Sequence, residues 1–129
     1  MKFGYTILYV NSVTETMAFY ERAFGLSHGM VVPTGDYGEM VTGETKLAFA
    51  KIDFVKTLTP VPIEPAAPGK SAPPLEIALG TNQVAAAYEH AVAAGAVAVK
   101  SPEIKPWGQL VGYVRDNNGF IVEICSPIG

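Results

Sequence analysis

Charge and disulfide chemistry are both scarce in this sequence. Only 16% of its 129 residues are charged, with 9 Lys and Arg against 12 Asp and Glu for a net −3. Such a chain lacks the basic face that nucleic-acid phosphates require, which excludes nucleic acid as the default partner. The single cysteine, Cys125, excludes an intrachain disulfide and any Cys-cluster metal site. Only two imidazoles are present, His28 and His90. No run approaches the roughly 18 apolar residues that a membrane-spanning helix needs. Phe3 to Val10 is apolar and follows a lysine, but it is short, holds two tyrosines and leads straight into a capped helix. It reads as a strand of a cytoplasmic protein and not as a signal peptide, with no membrane partner.

What is abundant is apolar surface, at 49% of residues. A chain of this length buries roughly two-thirds of its unfolded surface, enough for one domain with a core of its own. The remaining apolar surface suits burial against a second copy of the chain, so a homodimer is expected.

Tyr5–Val10 is rich in strand formers. Ser12 and Glu15 stand at capping-box spacing. Val13, Met17, Tyr20 and Phe24 then form one apolar helical stripe, and Gly25 suits a left-handed stop. Strands are predicted over 27–32, 38–42 and 46–52. Residues 57–74 carry six prolines, Pro60, Pro62, Pro65, Pro68, Pro73 and Pro74, and read as a linker. Beyond it the order repeats: a strand over 76–80, a helix capped by Asn82 with the stripe Val84, Tyr88, Ala91 and Val92, and strands over 96–100, 110–115 and 120–125. The reading is therefore α+β, a single domain with module one at 1–56, the linker at 57–74 and module two at 75–129.

The repeat can be aligned by offset. Adding 71 takes Tyr5 to Glu76, Asn11 to Asn82 and Met17 to Tyr88; adding 70 takes Gly38 to Gly108 and Glu39 to Gln109; adding 75 takes Ala48 to Glu123. Shared caps, glycines and element order point to a tandem β-α-β-β-β unit.

The opening G-Y-T-I-L-Y-V, the helix T-M-A-F-Y-E-R-A-F-G-L and the ending Y-V-R-D-N-N-G-F-I-V-E-I resemble the vicinal oxygen chelate superfamily of glyoxalases, bleomycin-resistance proteins and extradiol dioxygenases. The resemblance implies tandem βαβββ modules forming curved, cup-shaped mixed sheets that face each other, within a chain or across a dimer, around a ligand cavity. It also places metal ligands of metal-using members at Tyr5, Ala48, Glu76 and Glu123. Of these only Glu76 and Glu123 are plausible ligands here. Two carboxylates without imidazole or thiolate suit Zn, Ni or Fe poorly, whereas a water-held Mg or Mn ion is the alternative. The expectation is no metal and no other cofactor.

Strand alternation then assigns the cup lining: Tyr5, Ile7 and Tyr9 from the first strand, with Glu39, Ala48, Glu76, Gln109, Val111, Tyr113 and Glu123 from the others, and Trp107 as a lid. A cup of aromatics, small residues and a few acids suits a small, partly apolar molecule. The primary reading is metal-independent binding or sequestration of such a molecule. The alternative is a lyase- or isomerase-type enzyme with Glu76 or Glu123 as general base and Tyr5 polarising an oxygen, with or without a divalent metal as in glyoxalases. Whether a reaction occurs is left open.

Overall fold

The computed structural model describes residues 1–127. The chain forms two compact units, Met1–Pro65 and Ala66–Gly129. In the first, β1 (Tyr5–Val10), α1 (Val13–Phe24), β2 (Ser27–Val31), β3 (Tyr37–Val41) and β4 (Lys46–Lys51) are followed by a one-turn helix α2 (Ile52–Val55). In the second, β5 (Glu76–Gly80) leads to α3 (Val84–Ala93), β6 (Val97–Ile104), β7 (Leu110–Arg115) and β8 (Ile121–Cys125). Each unit has a four-stranded mixed sheet, ordered β1-β4-β3-β2 and β5-β8-β7-β6. The β1–β4 and β5–β8 pairs are parallel and the others antiparallel. The α+β fold and the repeated element order are thus as predicted.

Local chemistry accounts for the first helix. The Ser12 hydroxyl accepts from the Glu15 amide at 3.3 Å, and Gly25, at φ 69°, returns its N–H to the Glu21 carbonyl. The stripe Val13, Met17 and Tyr20 is buried, and the Tyr20 ring lies 5.0 Å from that of Phe49 on β4. Leu8, Val10, Leu47 and Phe49 meet this stripe from the sheet, so one face of the sheet is core.

Four expectations need correction. Asn82 does not cap α3: the N-cap is Gln83, whose side chain makes no capping bond, and its amide instead donates to the Thr81 hydroxyl at 3.1 Å. The 96–100 strand runs on to Ile104 through two register irregularities, because proline at 102 bends an edge strand without ending it. The α2 turn was absent from the reading, since four residues carry too little periodicity to detect. The repeat offset in the third strand is 74, not 70. Glu39 pairs across to Ala48 and Tyr113 pairs across to Glu123, so Tyr113, not Gln109, is the counterpart of Glu39.

That realignment makes Gly38 and Gly112 equivalent, and each lets a helix approach its sheet. A Cβ at Gly38 would strike the Met17 sulfur and come within 3.0 Å of Val13, while one at Gly112 would come within 3.0 Å of both Tyr88 and Pro102. Met17 and Tyr88 are themselves repeat mates, so the same small-against-large contact is built twice.

Candidate functional site

The face of each sheet turned away from its helix carries the sequence-predicted site residues. On the first sheet Tyr5, Ile7 and Tyr9 alternate with buried Leu8 and Val10 and are 52%, 42% and 38% exposed. Tyr5 stands opposite Lys46, whose ammonium lies 5.9 Å above the Tyr5 ring and 3.2 Å from the Glu39 carboxylate. Tyr37 donates to Glu39 at 2.9 Å, and burial together with this bond pushes the phenol up to about 12. Glu39 is therefore held by a cation and a phenol. Ala48, in the middle of this sheet, is fully buried.

The second sheet gathers a different group. Glu123 is the centre of this group: its carboxylate acts on Glu76, on Tyr113 directly across the ladder and on Cys125, whose thiol donates to the Leu79 carbonyl at 3.7 Å. Burial, then the neighbouring Glu123 carboxylate, hold Glu76 above its ordinary range. Burial is also the first cause for Tyr113, which is raised, and for Cys125, which is pushed up to about 11; the Glu123 carboxylate adds to both. A thiol so placed is a poor nucleophile.

Neither nearby cation neutralises this cluster by direct pairing. Lys105 lies 6.0 Å over the Tyr113 ring but pairs with Glu103 at 2.7 Å. Arg115 is turned to the chain: Nε donates to the Gly119 carbonyl at 2.8 Å, Nη1 to Pro68 at 3.0 Å and Nη2 to Ala67 at 3.2 Å. A cavity of about 470 Å³ opens beside Glu76, lined by Ala72, Pro73, Pro74, Leu75, Val99, Tyr113 and Ile121. The sequence reading missed the wall formed by residues 72–75 and Val99. A linker offers no periodicity that would assign it to a pocket.

The remaining candidates have local roles. Trp107 is 67% exposed at the β6–β7 turn, and its indole N–H donates to the Gln109 carboxamide at 2.8 Å. Gln109 in turn donates to the Ser126 carbonyl at 2.7 Å, so both ends of that amide are engaged. Val111 is buried, 1% exposed, opposite Cys125. His28 lies on the edge strand β2, paired with Glu21, and His90 is exposed on α3.

The donor set does not fit a transition metal. Ala48 offers no donor atom, and Glu76 and Glu123 supply carboxylate oxygens alone, without imidazole or thiolate. Among the described residues no group of three or more His, Cys, Asp or Glu stands together. No helix among them is long and apolar enough to cross a membrane.

Comparison with known proteins agrees with the architecture. The chain is similar in fold to a glyoxalase-related enzyme from Fulvimarina pelagi, at 23% identity and TM-score 0.79, covering 98% of this chain and 88% of that one. It is similar to a glyoxalase/bleomycin resistance protein/dioxygenase family enzyme from Burkholderia phytofirmans PsJN, at 17% identity and TM-score 0.75, covering 98% of both chains. TioX from Micromonospora sp. ML1 is similar at 19% identity and TM-score 0.73, again over 98% of both chains. No curated protein matches in sequence. The family model described as Glyoxalase/Bleomycin resistance protein/Dioxygenase superfamily matches residues 2–124, nearly the whole length. With its two β-α-β-β-β units, the chain belongs to the glyoxalase/bleomycin resistance protein/dioxygenase superfamily.

Proposed function

We propose that this protein binds a small, partly apolar molecule without a metal, at the second sheet, with Glu76 and Glu123 as the polar centre. The observation that carries this reading is that Glu76 lines the mostly apolar cavity with its proton affinity raised by burial and by the Glu123 carboxylate. Such walls favour an apolar body, and the paired acids favour an ammonium group. An entering cation favours the ionised form of Glu76, so binding releases a proton and tightens as pH rises through the raised Glu76 pKa.

The test is calorimetric titration with hexylammonium in two buffers of different ionisation enthalpy. Proton release, and a loss of about 10- to 100-fold in affinity in Glu76→Gln, are expected from removing a charge-assisted hydrogen bond. Unchanged affinity in that variant sinks the assignment, and one bound transition metal per purified chain sinks its metal-free part.

The raised proton affinity of Glu76 also favours a second reading, in which this carboxyl is the general acid or base of a lyase or isomerase. Deuterium uptake into a carbon acid, abolished in Glu76→Gln, separates turnover from binding. The reading extends to a cytoplasmic homodimer, supported by the low charge and by the exposed Tyr5, Ile7 and Tyr9. Sedimentation velocity at micromolar concentration tests the dimer.

A further inference from the structure

The proline-rich segment ahead of β5 does more than connect. We infer that Arg115 is a positioning residue: by holding residues 67 and 68 it fixes the following stretch, Ala72–Leu75, as the wall that sets which apolar bodies the cavity accepts. The inference rests on the reading that this cavity is the binding site.

The geometry is specific. Arg115 sits at the end of β7, and its three bonds all go to backbone carbonyls, one in the Asp116–Gly119 turn and two in the segment. A guanidinium presents several donors in one rigid plane, which is what tying three carbonyls together requires. At the same place Gly119 closes on the segment, for a Cβ there would come within 2.7 Å of the Ala67 carbonyl. The tethered end is then stiffened locally. The Lys70 amide donates to the Ala67 carbonyl at 3.0 Å, and the Leu75 amide donates to the Pro73 carbonyl at 2.8 Å just before β5 begins. Prolines at 73 and 74 fix φ along the wall itself, immediately ahead of Glu76. Four consecutive wall residues, Ala72, Pro73, Pro74 and Leu75, face Val99 and Ile121 around the cavity and supply apolar contact without a charge.

Arg115 thus acts on a ligand only through the segment it anchors. It is spent on carbonyls and not on the acids, which leaves the Glu76–Glu123 pair free to meet a ligand's own charge.

The experiment compares wild type with Arg115→Ala, Arg115→Lys and Leu75→Ala, using butylammonium, pentylammonium and hexylammonium as probes. In wild type each added methylene tightens binding by about fourfold if the wall covers it. In Arg115→Ala that increment falls towards unity while binding stays pH-dependent, its midpoint moving down with the Glu76 pKa, because both carboxyls are still present. Arg115→Lys, with one flexible ammonium for three carbonyls, restores only part of the increment. Leu75→Ala trims the wall directly and lowers the increment with Arg115 intact, which keeps the test valid if Arg115→Ala fails to fold.

Two measurements need no ligand. Amide hydrogen exchange at Lys70 and Leu75 accelerates at least tenfold in Arg115→Ala, and the Glu76 carboxyl, relieved of part of its burial, titrates closer to 4.5, its ordinary value. The other titratable groups of the cluster are Cys125, Tyr113, Lys105 and Glu123. Wild-type exchange at residues 70 and 75 in Arg115→Ala overturns the tether. An unchanged methylene increment in both Arg115→Ala and Leu75→Ala overturns the selectivity. If none of the ammonium probes binds wild type, the proposed ligand class fails, and the exchange and titration results then decide the positioning role alone.

Discussion

Tyr113 stands directly across the β7–β8 ladder from Glu123, in the place that Glu39 occupies opposite Ala48 in the first unit. Between the two repeats the acid moves from the third strand to the last, and a tyrosine takes its former place. In the first sheet the acid is on the third strand, satisfied by Tyr37 and Lys46. In the second it is on the last strand, where its charge raises the proton affinity of Glu76, Tyr113 and Cys125. That difference is why the ligand proposed above is placed at the second sheet.

Replacing Glu76 by Gln should stabilise the protein at neutral pH. Glu76 holds its proton more tightly when folded than its ordinary value of 4.5, so its contribution to folding is full below that pH and is lost as pH rises through the folded pKa. Gln removes that loss. The gain should be under about 1 kcal/mol, since solvent screens a largely exposed group. Urea denaturation at pH 7 and pH 4 checks it: the advantage should vanish at the lower pH.

Cys125 should resist alkylation. With the thiol pushed up to about 11, iodoacetamide labelling at pH 8 should be slow and should rise about tenfold per pH unit towards 11. Glu123→Gln, which removes the neighbouring charge, should bring the midpoint down. Labelling at pH 8 as fast as in the urea-unfolded chain would contradict the placement of the thiol.

The two helix starts should respond differently to alanine. Ser12→Ala removes the bond to the Glu15 amide and should cost about 0.5–2 kcal/mol. Asn82→Ala removes no capping bond and should fall within about 0.5 kcal/mol of wild type. Paired urea denaturation curves distinguish them.

Gly38→Ala should cost more than Gly112→Ala. At Gly38 the new methyl strikes the sulfur of Met17, which is fully buried, and also comes within 3.0 Å of Val13. At Gly112 the neighbours need yield only by tenths of an ångström. Overpacking of the first kind costs about 1–3 kcal/mol. Met17→Ala combined with Gly38→Ala should be less damaging than the sum of the two, which a double-mutant cycle measures.

The sequence by itself determined the element order, the first helix with both its ends, and which faces of β1 and β5 turn from the core. These follow from local causes: a hydroxyl one turn ahead of an amide, a 3.6-residue apolar stripe, and strict alternation along a strand. It also placed Glu76 and Glu123 in one sheet, because repeat and alternation together assign strand and face. Tertiary structure alone decided the rest. The third-strand register depends on Gly38 meeting Met17 and Gly112 meeting Tyr88, contacts between residues more than twenty apart in sequence. Glyphs of local pattern cannot choose between Gly108 and Gly112, since both are glycines near the right spacing. That Arg115 ties the proline-rich segment, and that this segment walls a cavity, required three carbonyls to converge from two separate stretches of chain. Backbone carbonyls are the same at every residue, so no sequence signal marks which of them a guanidinium will find.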